Sequence, residues 1–362
     1  MNQSTPRFHR LVVSDVLRET ADAVSIGFEV PPALVQAFSF EPGQYLTLKA
    51  VVSGGEVRRS YSICSGVDDG ELRVAVKEVE NGLFSSFANK SLKAGDELDV
   101  MTPVGRFTAP IGAATGKRYL LVAAGSGITP ILSIIKTVLG RELSAQVTLV
   151  YGNRNAASIL FKAELDDLKD RYLGRLAIHH VLSREVSDVA LAHGRIDASV
   201  IETLVRTGLE PKIMDEAFLC GPLGMVEAVR DALLAHGLPA ARVHVELFFV
   251  EGTEPRRVEP APRALADEGL TLSVRLDGRL HVLRMAPDET IVETALRHGL
   301  DLPYSCRGGM CCTCRAKLIE GSVTMDQNFS LEPWELDAGF VLTCQSRPGQ
   351  GSAALSVDFD AA

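Results

Sequence analysis

Apolar and polar positions alternate in short runs through the first part of the chain: Arg10 to Val16, Ala23 to Val30, Tyr45 to Val52, Val57 to Cys64 and Leu72 to Val79. Such runs, separated by turn residues, predict an antiparallel barrel or sandwich, because a strand that buries one face shows a period of two. From Lys117 the pattern changes. Apolar runs at Tyr119 to Ala124, Gln146 to Tyr151, Leu176 to Leu182 and Ala217 to Cys220 alternate with helical spacing, which predicts a parallel sheet with crossover helices. Pro222 and Gly237 bracket a predicted helix over 222–236, with Pro just inside its start. Between Glu251 and Gly269 the periodicity stops, and charges mixed with prolines predict a linker. Strands return at Thr271 to Leu276 and Arg279 to Met285, joined by the hairpin dipeptide Asp277-Gly278, and a short helix follows at 289–298.

The composition of the 362 residues, 46% hydrophobic and 23% charged, excludes a disordered, collagen-like or coiled-coil chain. The formal net charge is −9 and no basic stripe is present, which argues against a nucleic-acid partner. The most apolar stretch, Tyr119 to Ile135, is broken by Gly125, Ser126, Gly127, Thr129 and Pro130 and is too short to span a bilayer. The start, Met1-Asn2-Gln3-Ser4-Thr5-Pro6, lacks the regions of a signal peptide, so a cytoplasmic protein is expected. Five of the seven cysteines fall between Cys306 and Cys344, a distribution that suits a metal site in a reducing compartment better than a disulfide framework.

Cys306, Cys311 and Cys314 follow the spacing C-x4-C-x2-C, and Cys344 supplies a distant fourth thiol, the plant-type [2Fe–2S] pattern. Four soft thiolates suit iron–sulfur or zinc. Zinc sites usually pair two short knuckles, whereas here three ligands share one loop, and Arg307-Gly308-Gly309 lets that loop curl. Cys312 lies off the spacing and reads as a small packed residue, as does Cys64 after its strand. Trp334, His179 and His180 also read as packing. No Glu-x-x-His occurs, so oxygen activation would belong to another protein. Gly125-Ser126-Gly127-Ile128-Thr129-Pro130 follows a strand and opens a helix, where glycines and free backbone N–H groups admit a phosphate. It departs from G-x-G-x-x-G at Pro130.

Arg59-Ser60-Tyr61-Ser62 follows Gly43-Gln44-Tyr45, and Gly82-Leu83-Phe84-Ser85 comes some twenty residues later. With the Gly125–Pro130 loop and Cys220-Gly221-Pro222, these motifs resemble the ferredoxin–NADP reductase superfamily in order and separation over residues 6–250. From about 269 to 362 the chain resembles a plant-type ferredoxin domain. The resemblance implies four parts: a flavin-binding antiparallel β-barrel (1–112), an α/β parallel-sheet nucleotide domain (113–250), a linker (251–268) and a β-grasp [2Fe–2S] domain (269–362). It further implies that Arg59 faces the pyrophosphate of FAD, Tyr61 stacks on the isoalloxazine and Ser62 bonds near its N5. Ser60, Val76, Lys77, Gly82, Ser85 and Ser86 would complete the flavin site, and Glu246 and Phe248 would close its far side. Gly125, Ser126, Gly127, Thr129, Pro130, Cys220, Gly221 and Pro222 would hold the nicotinamide nucleotide, with Ser62, Cys220 and Glu246 nearest the reacting atoms. Ser183-Arg184 looks like the pair that grips a 2′-phosphate, which favours NADPH over NADH; the alternative is a plain surface arginine.

The run Cys306 to Lys317, with Met325-Asp326-Gln327-Asn328 and Leu331-Glu332-Pro333-Trp334-Glu335, resembles the reductase subunits of phenylacetyl-CoA epoxidases. That likeness implies a relay from NADPH through FAD and [2Fe–2S] to a di-iron oxygenase. Reductases of steroid hydroxylases and acyl-CoA desaturases come second, FMN-dependent phthalate-type reductases third, and a flavin- and cluster-carrying redox sensor is the reading outside enzymes. From Glu268 onward thirteen acidic residues stand against eight basic ones, a surface that suits a basic docking partner.

Overall fold

The computed structural model describes residues 6–109, 111–112, 116–185, 190–249 and 269–361. Residues 9–57 and 61–249 form one unit; 269–361, with 6–8 and 58–60, form a second. The predicted linker, 251–268, lies outside the described residues.

The first unit begins with β1 (Phe8–Thr20), β2 (Ala23–Glu29), β3 (Tyr45–Val52), β4 (Gly55–Ser62), β5 (Leu72–Lys77), α1 (Leu83–Lys90) and β6 (Glu97–Met101). The six strands make one sheet in the order β4-β3-β6-β1-β2-β5. Its two edges meet where Ile63 and Val74 form an antiparallel bridge, so the sheet curls towards a barrel around Leu11, Ile26, Leu46, Leu48, Val74 and Val100. Strand β1 runs past its predicted end at Val16. Register shifts at Val13/Asp15 and Arg18/Thr20 interrupt the period of two that a sequence reading depends on.

The parallel-sheet part follows: β7 (Arg118–Ala124), α2 (Ile128–Arg141), β8 (Gln146–Asn153), α3 (Lys162–Arg171), β9 (Leu176–Leu182), α4 (Ala198–Arg206), β10 (Glu216–Pro222), α5 (Leu223–Ala235) and β11 (Val243–Phe249). The sheet order is β11-β10-β7-β8-β9 with every pairing parallel, as the alternation predicts. Separate apolar clusters cover its two faces. Pro222 is a correction: it is the extended last residue of β10 and the N-cap of α5, one position before its expected place inside the helix. At the other end Gly237 takes φ +86°, and Gly237 and Leu238 donate N–H bonds to Leu234 and Leu233, which closes the helix as expected.

The second unit contains β12 (Leu270–Leu276), β13 (Arg279–Met285), α6 (Ile291–Arg297), β14 (Arg315–Glu320), β15 (Val323–Met325), α7 (Pro333–Asp337), β16 (Phe340–Leu342), β17 (Ser346–Pro348) and β18 (Ala354–Asp358). Its sheet runs β13-β12-β18-β14-β16; β12 and β18 pair in parallel and the remaining neighbours are antiparallel, a β-grasp arrangement. Asp277 and Gly278 both have positive φ, so the predicted hairpin dipeptide makes its tight turn. Helix α6 starts later than the predicted 289 because Thr290 and Glu293 form a reciprocal cap. Trp334, expected to pack, is 54% exposed instead, while Cys64 is buried as expected. Among the described residues no helix is long and apolar enough to cross a membrane.

Candidate functional site

Strand β4 presents Arg59, Ser60, Tyr61 and Ser62 in sequence, so Arg59 and Tyr61 share one face and the serines the other. Arg59 is half-buried and donates to the Arg58 carbonyl at 2.8 Å. The Tyr61 ring lies 5.5 Å from that of buried Phe84, in the first turn of α1. Among the described residues no side chain caps α1 after Gly82, so its first N–H groups are available to an anion. Ser85 Oγ accepts from Val79 N–H at 3.1 Å and donates to Gly82 O at 3.2 Å; Ser86 Oγ donates to Glu78 at 2.9 Å. Both hydroxyl protons are thus engaged within the chain, and backbone N–H groups are what this helix start offers. Val76 is buried at the end of β5, and Lys77 beside it pairs with Asp22 at 3.6 Å.

The second motif loop makes one tight turn, Gly125–Gly127, before Ile128, Thr129 and Pro130 open α2. Proline is tolerated there because the first-turn N–H has no helical partner. Tyr151 Oη donates to Gly125 O at 3.0 Å and Thr129 Oγ1 to Ser126 O at 3.1 Å, which holds the turn in shape. A Cβ on Gly127 would lie 2.3 Å from the Cys220 carbonyl oxygen, so only glycine lets α2 approach β10 this closely. Cys220 stands in register with Glu246 of β11, and Ser62 Oγ donates to Glu246 Oε2 at 3.3 Å. The end of β4 and the Gly127 loop therefore converge around one carboxylate and one thiol. Burial pushes the Cys220 thiol well above its ordinary value and Glu246 adds to the effect, so Cys220 stays a neutral thiol near neutral pH. Phe248 packs half-buried against the same core, and Gly221 and Pro222 end β10 beside it.

Ser183 and Arg184 turn the chain after β9, with their N–H groups on Asn153 O (2.9 Å) and Arg154 O (2.8 Å). Arg184 is exposed and, among the described residues, carries no ion pair. Asn153 Nδ2 nearby is buried without a hydrogen-bond partner among the described residues. All these groups lie at or just beyond the carboxyl ends of parallel strands, where open α/β sheets take their ligands. Sequence reasoning missed Tyr151 and the Ser62–Glu246 contact, which no local pattern announces.

In the second unit, Cys306 N–H donates to Cys311 Sγ at 3.5 Å, and the four thiols fall into two neighbouring pairs, Cys306 with Cys311 and Cys314 with Cys344. Within the pairs, hydrogen bonds from Cys311 and Cys314 hold Cys306 and Cys344 below the ordinary thiol value, while Cys311 and Cys314 are pushed up by the same contacts and by burial. Among the described residues no three His, Cys, Asp or Glu side chains converge to hold a single metal ion. Four thiols in two neighbouring pairs are the donor set that would hold a [2Fe–2S] group. Positive φ at Arg307, Gly309 and Cys312 curls the loop. Gly308 N–H donates to Cys306 Sγ at 3.4 Å, Thr313 Oγ1 to Cys311 Sγ at 3.2 Å and Gln345 Nε2 to Cys344 Sγ at 3.5 Å. Donors of this kind orient and tune a thiolate-bound group. Ser305 Oγ, next to Cys306, is buried with no partner among the described residues, a donor left over for such a group. Cys312 is half-exposed and packs at the edge of the cluster of apolar residues around Cys314 and Cys344.

Comparison with known proteins matches three family models: an oxidoreductase FAD-binding domain over residues 11–109, an oxidoreductase NAD-binding domain over 121–231 and a 2Fe-2S iron-sulfur cluster binding domain over 274–349. The chain is 46% identical to one of the subunits of the 1,2-phenylacetyl-CoA epoxidase of Escherichia coli (strain K12), over 98% of each chain. It is 37% identical to the ferredoxin reductase component of 3-ketosteroid-9-alpha-monooxygenase from Rhodococcus rhodochrous, over 93% of each. Phthalate dioxygenase reductase, a solved structure described as modular for electron transfer from pyridine nucleotides to [2Fe-2S], aligns with a TM-score of 0.59 at 25% identity, covering 97% of this chain and 98% of that one.

Proposed function

Since the chain belongs to the family of FAD- and [2Fe–2S]-containing reductase components of multicomponent oxygenases, we propose that the partner it supplies is a di-iron epoxidase acting on phenylacetyl-CoA. When bound, FAD would supply hydride acceptance and the [2Fe–2S] group one-electron transfer, so the part left to this chain's residues is positioning and tuning. The convergence of Ser62, Glu246, Cys220 and Gly127 carries the reductase reading, because it brings the end of the flavin strand to the nucleotide loop.

In this reading Arg59 sets its charge against the flavin pyrophosphate, helped by N–H groups after Gly82, with Ser60, Ser85, Ser86 and Lys77 lining the rest of the flavin site. Tyr61 would stack on the ring system, Val76 would border it, and Phe248 would close its far side. Ser62 would hydrogen-bond near N5 through its hydroxyl oxygen, which is oriented by its own donation to Glu246. Gly125, Ser126, Gly127, Thr129 and Pro130 receive the nicotinamide half of the nucleotide, and neutral Cys220 with Gly221 and Pro222 shields it from water. Arg184, with Ser183, contacts the 2′-phosphate and makes NADPH the preferred donor. Cys306, Cys311, Cys314 and Cys344 hold the cluster. The division at 112/113, 250/251 and 268/269 assigns one cofactor to each domain. Seven unbridged cysteines suit a reducing cytoplasm.

Reconstitution with the catalytic components of a phenylacetyl-CoA epoxidase tests the partner. NADPH oxidation coupled to loss of the thioester is the expected result. A preparation that reduces ferricyanide with NADPH yet supports no epoxidation belongs with another oxygenase, steroid hydroxylases first.

A further inference from the structure

Helix α2 is buried on nearly every side, yet beyond its first turn four of its residues are polar and fall on one stripe: Ser133, Lys136, Thr137 and Arg141, spaced three, one and four apart. All four meet a single segment, 65–69, which continues directly from the end of β4. Ser133 Oγ donates to Ser65 O at 2.7 Å, and Val67 N–H donates to Thr137 Oγ1 at 3.1 Å. Lys136 Nζ pairs with Asp69 and, at 2.5 Å, with Glu164 of α3. Arg141 holds Asp68 with two bonds of 2.6 and 2.7 Å. The backbone of the segment lies against the helix: a Cβ on Gly66 would come within 2.9 Å of Lys136 Cβ. Asp69 is itself fixed by Gly66 N–H at 2.7 Å.

We propose that Ser133, Lys136 and Thr137, with the 65–69 segment, form a latch that sets the distance between nicotinamide and flavin; they are positioning residues for hydride transfer. The inference rests on the reading that Gly125–Pro130 holds the nicotinamide nucleotide and Ser62 adjoins the flavin. The latch joins those two places by short paths. Ser65 is three residues beyond Ser62, and Ser133 is six residues, about 9 Å along a rigid helix, from Gly127. Buried polar side chains at these positions need partners that apolar residues would not, so ordinary packing of α2 does not call for them. The contacts stay clear of both proposed ligand sites, so their loss should leave binding intact and alter alignment. Reaction rates fall steeply with such misplacement, on the order of a hundredfold per ångström.

The test is anaerobic stopped-flow reduction of the full-length holoprotein by NADPH, with Lys136→Met, Lys136→Arg and the isosteric double change Ser133→Ala/Thr137→Val. The double change leaves no buried charge unpaired and so guards against simple misfolding. The latch predicts that Lys136→Met and the double change lower the limiting rate of flavin reduction about tenfold, with NADPH affinity within about twofold of the parent. Flavin content should be unchanged, the isotope effect from NADPH deuterated at C4 should persist, and Lys136→Arg should recover most of the rate. An unchanged limiting rate in both variants, or slowing that tracks flavin loss or shows no isotope effect, overturns the proposal. The underlying reading fails separately if Gly127→Val, whose side chain would collide with Cys220 O, binds NADPH normally.

Discussion

Cys314→Ala is expected to reduce electron delivery to an oxygenase to background while leaving NADPH-driven ferricyanide reduction nearly intact. Cys314 is buried beside Cys344, and its carbonyl accepts from Thr343 N–H at 3.1 Å and Thr343 Oγ1 at 2.7 Å. Alanine keeps those backbone contacts and removes only the sulfur, so the unit should fold and lack a ligand. Losing an outer contact to a metal group typically costs ~10–100-fold, and losing a direct ligand should exceed that. Iron and acid-labile sulfide should fall well below two each per chain. Cys312→Ser provides the contrast: it removes a thiol of the same loop and should keep the cluster's visible spectrum. The assays are metal content, ferricyanide turnover and oxygenase-coupled NADPH oxidation on all three proteins. Coupled oxidation surviving in Cys314→Ala would mean that electrons bypass the cluster.

Arg184→Ala should weaken the enzyme for NADPH and leave NADH nearly unaffected. The side chain is exposed with no ion pair among the described residues, so its removal should cost the fold little. Its neighbour Glu185 is occupied by the Ala156 N–H at 2.7 Å. A charge-assisted contact to a phosphate is worth about 1.5–3 kcal/mol, which is ~10–150-fold in kcat/KM. Steady-state kinetics with the two nucleotides decide the matter. An unchanged preference would make Arg184 an ordinary surface charge.

Where the sequence is explicit, chemistry is local. The C-x4-C-x2-C loop, the Arg59–Ser62 strand and the Asp277-Gly278 turn each fit within a dozen residues, and each can be read before any fold is known. Apolar runs likewise betray β7 to β10, because a parallel strand is covered on both faces. Three kinds of feature escape such reading. Bulges in β1 break the period of two, so its last four residues are lost to pattern. Pro222 satisfies the rules for a helix start whether it is the cap or the first helical residue, and only the backbone angles decide. Contacts between distant segments leave no local trace: Ser62 and Glu246 are 184 residues apart, and Ser65 is 68 from Ser133. Ser133, Lys136 and Thr137 stand out as polar in an apolar helix, but nothing in the sequence identifies what faces them. Trp334 departs from expectation because size and hydrophobicity suggest burial, whereas its short helix presents it to solvent with Nε1 on Glu332 at 2.7 Å.

The order of the relay can be watched directly. Anaerobic rapid mixing of the holoprotein with one equivalent of NADPH, followed by absorbance and freeze-quench EPR, separates the flavin from the cluster. Flavin bleaching should precede the paramagnetic signal of the reduced [2Fe–2S] group, and a second mix with oxidised oxygenase should remove that signal as the oxygenase becomes reduced. Reduction of the oxygenase while the cluster remains oxidised and EPR-silent would contradict the account.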